Sequence, residues 1–245
     1  DAEFVKNFCA ERGLAFVCRH VKAPDYALQN GLSLEDAARR LRYKALFAYA
    51  AEAGCDYIVT AHQADDQAET VLMQLLRGSG TSGLGGMQTE TGRLVRPFLF
   101  VQRSEIEAYC RERGLQFCND STNEDVRYTR NRIRKELLPY LEKSFNPRVI
   151  TALGNTAQLA RADNDFAAYH AQVFYNQNVK ANAKLLECQA EALKTEFEAV
   201  SRRVVRMMWE KMAACGSELG FEHVEAVLGL LKNGSSGKML ALPGK

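Results

Sequence analysis

The chain has 245 residues, of which 47% are hydrophobic and 25% are charged, an ordinary composition for a soluble protein. This length suits one large domain or two smaller ones, and no apolar run is long enough to form a transmembrane helix. The formal net charge of +2 is too small to indicate a partner, so local clusters of charge must carry that argument.

Helix–glycine–strand units follow one another in the first half of the chain. Helical periodicity over residues 1–12 stops at Gly13, and the apolar segment 14–21 then has the pattern of a buried strand. Ser33 and Asp36 predict the cap of a second helix, which Gly54 ends before the strand "CDYIVTAH". The predicted buried stripe of this helix consists of Leu34, Ala38, Leu41, Ala45 and Ala48.

A third unit has the same order of signals. Ser104 and Glu107 predict a helix cap, Gly114 ends that helix, and "LQFC" has the pattern of a short strand. Three such units predict a parallel sheet in an α/β fold.

The second half of the chain has a different character. A basic helix is predicted from Asn123 to about Leu138, with Pro139 marking its end. Asn146 and Pro147 predict another helix start, and helical patterns then continue, one of them around residues 184–194, as far as Leu231. We therefore predict an α/β domain over residues 1–143 and an all-α domain over residues 144–245, whose tail from residue 233 forms a turn with a short strand at most.

The seven cysteines are scattered along the chain, and none of them forms a C-x-x-C pair. This pattern is typical of reduced thiols in a cytoplasmic protein, and it argues against zinc or an iron–sulfur cluster held by neighbouring cysteines.

A glycine run, "GSGTSG", starts at Gly78 and matches the G-x-G-x-x-G pattern of dinucleotide-binding loops. That loop needs a strand before it and a helix after it, because the phosphates lie at the N-terminus of the helix. Here the glycines follow a predicted helix over residues 67–77, at the end where the helix dipole disfavours phosphate. The pattern therefore predicts a connecting loop, which could still close over a substrate.

An acidic cluster precedes the glycine run. His62 lies at the carboxyl end of a predicted parallel strand, where open α/β sheets bind their ligands, and Asp65, Asp66 and Glu69 follow in the first turns of the next helix. Asp66 and Glu69 also resemble a capping box, so a single aspartate needs no function. The four residues together exceed what capping requires and indicate a functional site. A carboxylate there could hold Mg²⁺ on a nucleotide or accept a proton from an amine.

Arginines accompany this cluster in two places. Arg39 and Arg42 flank the apolar stripe of the second helix. The sequence is equally consistent with Arg42 in a structural ion pair and with Arg42 in contact with the substrate. The segment "VRYTRNRIRK" is basic, and a second basic group surrounds Trp209. Such a run is usually a solvated helix face, but it can also bind nucleic acid through phosphate contacts and aromatic stacking. The residues of the run that we consider are Tyr128, Arg130, Asn131, Arg132 and Arg134.

Five segments together resemble the tRNA(Ile)-lysidine synthetase family of N-type ATP pyrophosphatases. They are "LEDAARRLRY", "TAHQADDQAETVLMQLLRGSGTSGLGGM", "LVRPFL", "DSTNEDVRYTRNRIRKELLPYL" and "SSGKMLALPG", and they span nearly the whole chain. The resemblance implies a Rossmann-like adenine nucleotide α-hydrolase domain, lacking its first strands here, followed by a helical tRNA-binding domain.

The resemblance also implies a reaction and its participants. ATP, with Mg²⁺, adenylates the wobble cytidine of an isoleucine tRNA that has the anticodon CAU, and free L-lysine then displaces AMP to form lysidine. By position in the motifs, Asp66, Arg42 and Arg130 match the active-site residues, and His62, Asp65 and Glu69 are weaker candidates. No metal ligand is assigned, no membrane is implied, and a homodimer is left open.

One part of the family pattern is missing. The family's pyrophosphate loop, Ser-Gly-Gly-x-Asp-Ser, does not occur in this sequence, so we expect the chain as given to bind ATP poorly and to be inactive alone. Two alternatives are a tRNA-thiolating enzyme of the same superfamily, which the scattered cysteines disfavour, and a non-catalytic tRNA-binding protein.

Overall fold

The computed structural model describes residues 2–118, 128–182, 185–212, 219–234 and 237–243. The chain divides into two compact units, Asp1–Gln158 and Leu159–Lys245, and the division falls inside one long helix. The boundary that we infer from the sequence, between residues 143 and 144, stays a prediction about domains.

The first unit consists of helices around a small sheet. Its strands are β1 (Ile58–Val59), β2 (Glu90–Thr91) and β3 (Leu94–Val95), in the order β1-β3-β2. β1 and β3 are parallel, with Ile58 opposite Leu94, whereas β2 is antiparallel to β3. The sequence predicts a parallel sheet that includes β1, but it predicts no strand at residues 90–95. The helices are α1 (Ala2–Glu11), α2 (Ala23–Asn30), α3 (Leu34–Glu52), α4 (Ala64–Leu76), α5 (Thr81–Leu84), α6 (Arg103–Glu112), α7 (Thr129–Arg132), α8 (Leu138–Ser144) and the first part of α9 (Val149–Asn178).

Two strand predictions are wrong. Residues 14–21 and 115–118 form no strand, although their composition favours one. A strand needs a neighbour to complete its ladder, and neither segment has a paired neighbour in the described ranges. The backbone N–H groups of Leu14 and Leu115 bond instead to carbonyls at the ends of the preceding helices.

The helix caps agree with the sequence at one place and differ at another. Asp36 N–H donates to Ser33 Oγ over 3.1 Å, which confirms the predicted cap of α3. The cap of α6 is not the predicted Ser104–Glu107 pair, because the helix begins two residues earlier and Gln102 N–H donates to Glu105 Oε2 over 2.8 Å.

The buried face of α3 also differs from the predicted stripe. Ala37 and Ala50 are its buried residues, and Tyr43 and Leu46 pack on the small core of Ala50, Ile58 and Leu94. Leu34, Ala38 and Ala48 of the predicted stripe are exposed. Burial therefore follows the neighbours that α3 meets, which its own periodicity does not specify.

The basic helix does not end at Pro139, so this prediction is wrong. The chain continues from α7 through a π-helical turn (Ile133–Leu137) into α8, where Pro139 occupies the first turn. Leu138 N–H bonds to Ile133 C=O, one residue further back than in an α-helix. This shift accommodates a proline, which lacks an N–H group and collides with the carbonyl of a regular turn. Residues 123–127 of the predicted helix lie outside the described ranges.

The second unit contains the remainder of α9, a hairpin of β4 (Val179–Ala181) and β5 (Leu186–Cys188), and the helices α10 (Ala190–Thr195), α11 (Glu198–Met212) and α12 (Phe221–Lys232). Its core joins residues of α9, α11 and α12, among them Phe174, Val204 and Val224. The unit is mainly helical, as predicted, but β5 replaces the first part of the helix expected around residues 184–194, and Lys184 lies outside the described ranges. The tail that is described, residues 237–243, forms no strand.

Two further observations concern the whole described chain. No helix in it is both long enough and apolar enough to cross a membrane. Six of the seven cysteines fall in the described ranges, and all six are free thiols.

Candidate active site

The candidate site lies where β1 ends and α4 begins. Thr60 N–H donates to Val95 C=O over 2.9 Å and so extends the β1–β3 ladder by one residue. Gln63 caps α4, with its backbone N–H bonded to Asp66 Oδ2 over 3.0 Å. His62, Asp65, Asp66 and Glu69 therefore lie at the carboxyl edge of the parallel strands, where the sequence places them.

Glu69 and Asp66 bind two arginines of the basic helix. Arg130 donates from Nε to Glu69 Oε2 over 2.7 Å and from Nη2 to Asp66 Oδ1 over 3.2 Å. Arg134, one turn later, donates from Nε to Glu69 Oε1 over 2.6 Å and from Nη2 to the same Asp66 oxygen over 3.2 Å. The side chain of Glu69 is fully buried, and that of Asp66 is 15% exposed. We call these four residues the arginine–carboxylate cluster.

Burial and charge act in opposite directions on Arg134. Burial alone would lower its pKa, but the hydrogen bond and charge of Glu69, with the charges of Asp66 and Asp65, raise the pKa above its ordinary value. Arg134 therefore remains a cation, and two guanidinium groups face two carboxylates in a half-buried setting.

The two adjacent aspartates have different partners. Asp66 belongs to the arginine–carboxylate cluster and caps its own helix, while Asp65 Oδ2 accepts the backbone N–H of Arg103 over 2.8 Å. Arg103 is the first residue of α6, so Asp65 satisfies a free N–H group at the start of a second helix. The suggested Asp66–Glu69 capping box does not form, because Glu69 points to the arginines.

His62 is half-buried beside the cluster. Its Nδ1 lies 2.9 Å from Thr60 Oγ1. Burial lowers the pKa of His62; the charge of Asp66 opposes this shift, and Arg96, Arg42 and Arg130 reinforce it. His62 is therefore biased towards its neutral form.

The structure brings together only part of the predicted set. Arg42 is exposed, has its guanidinium 5.5 Å from the ring centre of Tyr43, and is near enough to lower the pKa of His62. Arg39 and Tyr128 are exposed, and Arg132 turns to Glu136 over 3.6 Å. Asn131 is partly buried. Of the basic run, Arg130 and Arg134 are the residues that bind the two carboxylates.

Sequence reasoning missed Arg96, which is only 8% exposed. Its Nη1 donates to Gln88 C=O over 2.7 Å, and its Nε is buried with no hydrogen-bond partner in the described chain. A charged residue within the apolar segment "LVRPFL" was the signal that could have revealed it, since buried arginines are rare.

The glycine run over residues 78–83 follows α4, as the sequence predicts, but its last residues belong to the short helix α5, and Gln67 binds the segment after that helix. The Gln67 amide accepts from Met87 N–H over 2.8 Å and donates to Met87 C=O over 3.0 Å. Gly86 adopts a φ of 58°, and a Cβ added there would lie 2.7 Å from Gln67 Oε1. Two separate features therefore favour glycine at position 86: the positive φ of its backbone and the close approach of the Gln67 side chain.

A small cleft of about 80 Å³ opens beside the cluster, lined by Gln63, Asp65, Glu69, Arg103, Arg134, Leu138, Pro139, Glu142 and Ile150. Within the described ranges, no group of three histidine, cysteine, aspartate or glutamate side chains could hold a metal ion. The site instead offers arginines and carboxylates, which suit anionic groups and amines.

Comparison with known proteins places this geometry in context. Residues 1–141 match the family model described as a PP-loop domain. Curated relatives named tRNA(Ile)-lysidine synthase include that of Caldanaerobacter subterraneus subsp. tengcongensis, 35% identical over 98% of this chain and 51% of the relative, and that of Geobacter sulfurreducens, 37% identical over 99% and 52%. The relative from a Nostoc species is 35% identical over 94% of this chain and 70% of its own length. The chain thus spans about half the length of most of these relatives.

A solved structure is also similar. The U34-tRNA thiolase NcsA from Methanococcus maripaludis, with its [4Fe-4S] cluster, has a TM-score of 0.52 at 16% identity, over 65% of this chain and 56% of that one. At this identity the likeness concerns the fold alone. Together with the PP-loop match it confirms the Rossmann-like α/β class for the first part of the chain.

Proposed function

Because the chain belongs to the tRNA(Ile)-lysidine synthase family and carries a PP-loop domain, we propose that the protein uses ATP to join lysine to the wobble cytidine of an isoleucine tRNA. It would then be a carbon–nitrogen ligase whose tRNA has the anticodon CAU. The observation that carries this proposal is the arginine–carboxylate cluster at the carboxyl edge of β1 and β3.

The reaction has two steps. In the first, the carbonyl oxygen of the cytosine attacks the α-phosphorus of ATP, and pyrophosphate leaves. In the second, the ε-amine of free lysine attacks the activated ring carbon, loses a proton, and displaces AMP. The protein must therefore offer cationic donors to phosphate groups and a proton acceptor to the amine.

We assign the proton acceptor to Asp66. An amine attacks only when it is neutral, and a lysine ammonium carries an extra proton at pH 7. Asp66 Oδ1 already accepts two bonds of 3.2 Å, which are long for charged partners, while Oδ2 accepts one backbone N–H. A carboxylate has about four lone-pair directions, so an ammonium can join this set or replace an arginine.

Arginines would receive the negative groups. Arg130 is held by Glu69 through its Nε, which leaves part of its guanidinium fork for a phosphate or carboxylate. Arg42 is exposed near His62 and could reach the same ligand. Arg42 and Arg130 are each proposed to bind the nucleotide phosphate, the cytosine or the lysine carboxylate. Arg39, Tyr128, Asn131 and Arg132 remain weaker candidates for contacts with the substrate or the nucleotide.

The described carboxylates do not fit a magnesium site by themselves. Asp66 and Glu69 are already neutralised by arginines, and no described group could hold a metal. Mg²⁺ is therefore proposed only as the ion that accompanies the phosphates of ATP, with no protein ligand assigned to it. The inactivity expected for this chain alone stays a prediction.

We propose that the protein acts in the cytoplasm, in keeping with its free thiols. A homodimer stays open. The thiolating alternative has less support, because the seven cysteines form no C-x-x-C pair, and the likeness to a thiolase concerns the fold alone.

In a protein that also contains the pyrophosphate loop, incorporation of labelled lysine into an isoleucine tRNA transcript with the anticodon CAU tests this proposal. The expected result is lysine in the tRNA, with one AMP and one pyrophosphate released for each lysine. RNA binding with steep salt dependence but no AMP release would reject the ligase and favour a tRNA-binding protein.

A further inference from the structure

The contact between Thr60 and His62 joins a strand residue to a residue of the candidate site. Thr60 Oγ1 lies 2.9 Å from His62 Nδ1, and both side chains are partly buried. The Thr60 backbone is itself fixed, because its N–H group bonds to Val95 C=O on the neighbouring strand. The hydroxyl therefore meets the imidazole from a rigid support.

This contact leaves one ring nitrogen of His62 for other partners. In the described chain no protein group bonds to Nε2, whereas Nδ1 is occupied by Thr60. An imidazole whose Nδ1 is held has its ring plane, and hence the direction of Nε2, largely determined.

The charges around the ring indicate why such a support is useful. Arg42, Arg96 and Arg130 all disfavour a proton on His62, and Asp66 alone favours one among the charges that act on it. A neutral ring has no net charge that would orient it between these groups, so its orientation depends on specific hydrogen bonds.

We propose that Thr60 is a positioning residue for His62, holding the imidazole through Nδ1 so that Nε2 faces the ligand of the candidate site. Thr60 itself touches no substrate in this proposal. The inference deepens the proposed ligase, and it rests on that function only for the identity of the ligand.

Nitrogen-15 spectroscopy of the histidine rings tests the proposal without any activity. The chain has four histidines, so their ring signals can be assigned one by one by substitution. We expect the His62 Nδ1 signal to show a hydrogen bond, and Thr60→Val to shift it and redistribute the two neutral tautomers. Thr60→Ser, which keeps the hydroxyl, should restore the original signals. Unchanged His62 signals in Thr60→Val would overturn the proposal.

Thr156 provides a matched control. Its hydroxyl donates to Ala152 C=O over 2.9 Å on α9. Thr156→Val therefore removes a hydrogen bond of the same length that does not involve His62. This variant should leave every His62 signal in place. If Thr60→Val does not fold, the wild-type spectrum still decides, because an Nδ1 signal without a hydrogen bond contradicts the contact.

Catalysis supplies a second and separate readout. In the protein that transfers lysine, Thr60→Val should lower kcat about tenfold, near the upper worth of one ordinary hydrogen bond, with little change in KM for tRNA. Thr60→Ser should recover most of this loss. Shifted ring signals in a protein that never transfers lysine would reject the ligase and leave the positioning intact, whereas normal transfer by Thr60→Val would overturn the positioning.

Discussion

Arg134 donates from Nε to Glu69 over 2.6 Å, and Glu69 has no exposed side-chain surface. Glu69 also accepts from Arg130 over 2.7 Å, so one buried carboxylate binds two guanidinium groups. We expect Glu69→Gln to destabilise the protein by about 3 kcal/mol, because it leaves Asp66 as the one carboxylate that binds two partly buried guanidinium groups. Urea unfolding measures this change.

Glu136 is the matched control for that substitution. Its pair with Arg132 spans 3.6 Å, and both side chains are more than half exposed. Glu136→Gln should therefore change the stability by less than about 0.5 kcal/mol. Equal effects of the two substitutions would contradict the structural role of Glu69.

Substitutions of the adjacent residues Asp65 and Asp66 should have different effects on lysine transfer. Asp66→Asn and Asp66→Ala are expected to abolish lysine transfer while tRNA binding survives, since the proposed proton acceptor is lost. Asp65→Asn should retain transfer and lose about 1 kcal/mol of stability at most, because it weakens only the charge at the start of α6. Parallel assays of lysine incorporation and thermal unfolding distinguish them. Near-normal transfer by the Asp66 variants would disprove that assignment.

His62 makes the stability depend on pH. Burial lowers its pKa in the folded state below the ordinary 6.5, so the unfolded chain binds a proton more readily. Stability is therefore lost as the pH falls from about 7 through 6.5 to the lower folded value. We expect His62→Gln to show a smaller loss over this interval than the wild type does. Unfolding curves at several pH values check this, and identical pH dependence would show that His62 is not responsible.

Gly86 and Gly154 form a contrasting pair. A Cβ at Gly86 would meet the Gln67 amide at 2.7 Å, and its φ is 58°, so Gly86→Ala should cost more than about 1 kcal/mol. Gly154 lies in α9, and an added Cβ meets nothing within 4 Å. Gly154→Ala should therefore stabilise the protein by about 0.5–1 kcal/mol. Melting temperatures of both variants provide the test, and shifts of the same sign would contradict it.

The second basic group, which surrounds Trp209, includes Arg202 and Arg206, and these two arginines have different partners. Arg202 is bound by Glu225 over 2.7 Å and by Glu198 over 3.2 Å, whereas Arg206 donates to the neutral Leu219 C=O over 2.7 Å. Phosphate contacts should therefore depend more on Arg206. Arg206→Gln is expected to reduce the slope of tRNA affinity against salt by about 1, and Arg202→Gln by much less. Equal slopes for both variants would contradict this difference, and slopes equal to that of the wild type would exclude α11 from the RNA contact.

The sequence predicts features that depend on neighbours along the chain. The cap of α3 and the position of His62 at the end of β1 follow from local patterns, and the structure confirms both. The prediction of a strand at residues 14–21 was wrong, because strand formation depends on pairing with a partner that is distant in the sequence. The partner of Asp65 could not be predicted for a similar reason, since Arg103 lies 38 residues away.

The basic run shows the same limit in the site. Helical spacing places Arg130 and Arg134 on one face, but Arg132 was considered with them because charge alone does not show which side meets the carboxylates. The π-helical turn before Pro139 also depends on how the chain continues into α8, which a proline signal read alone cannot anticipate.

The arginine–carboxylate cluster joins residues that are 61 to 68 positions apart in the chain. During translation, at about 5–20 residues per second, the ribosome adds Arg130 about 3–12 seconds after Glu69. During that interval the nascent α4 contains Glu69 but neither arginine has been added. Burial of an unpaired carboxylate has a large free-energy cost. The first half of the chain is therefore expected to keep this face of α4 hydrated until the basic helix has emerged, so the candidate site is among the last parts of the domain to fold.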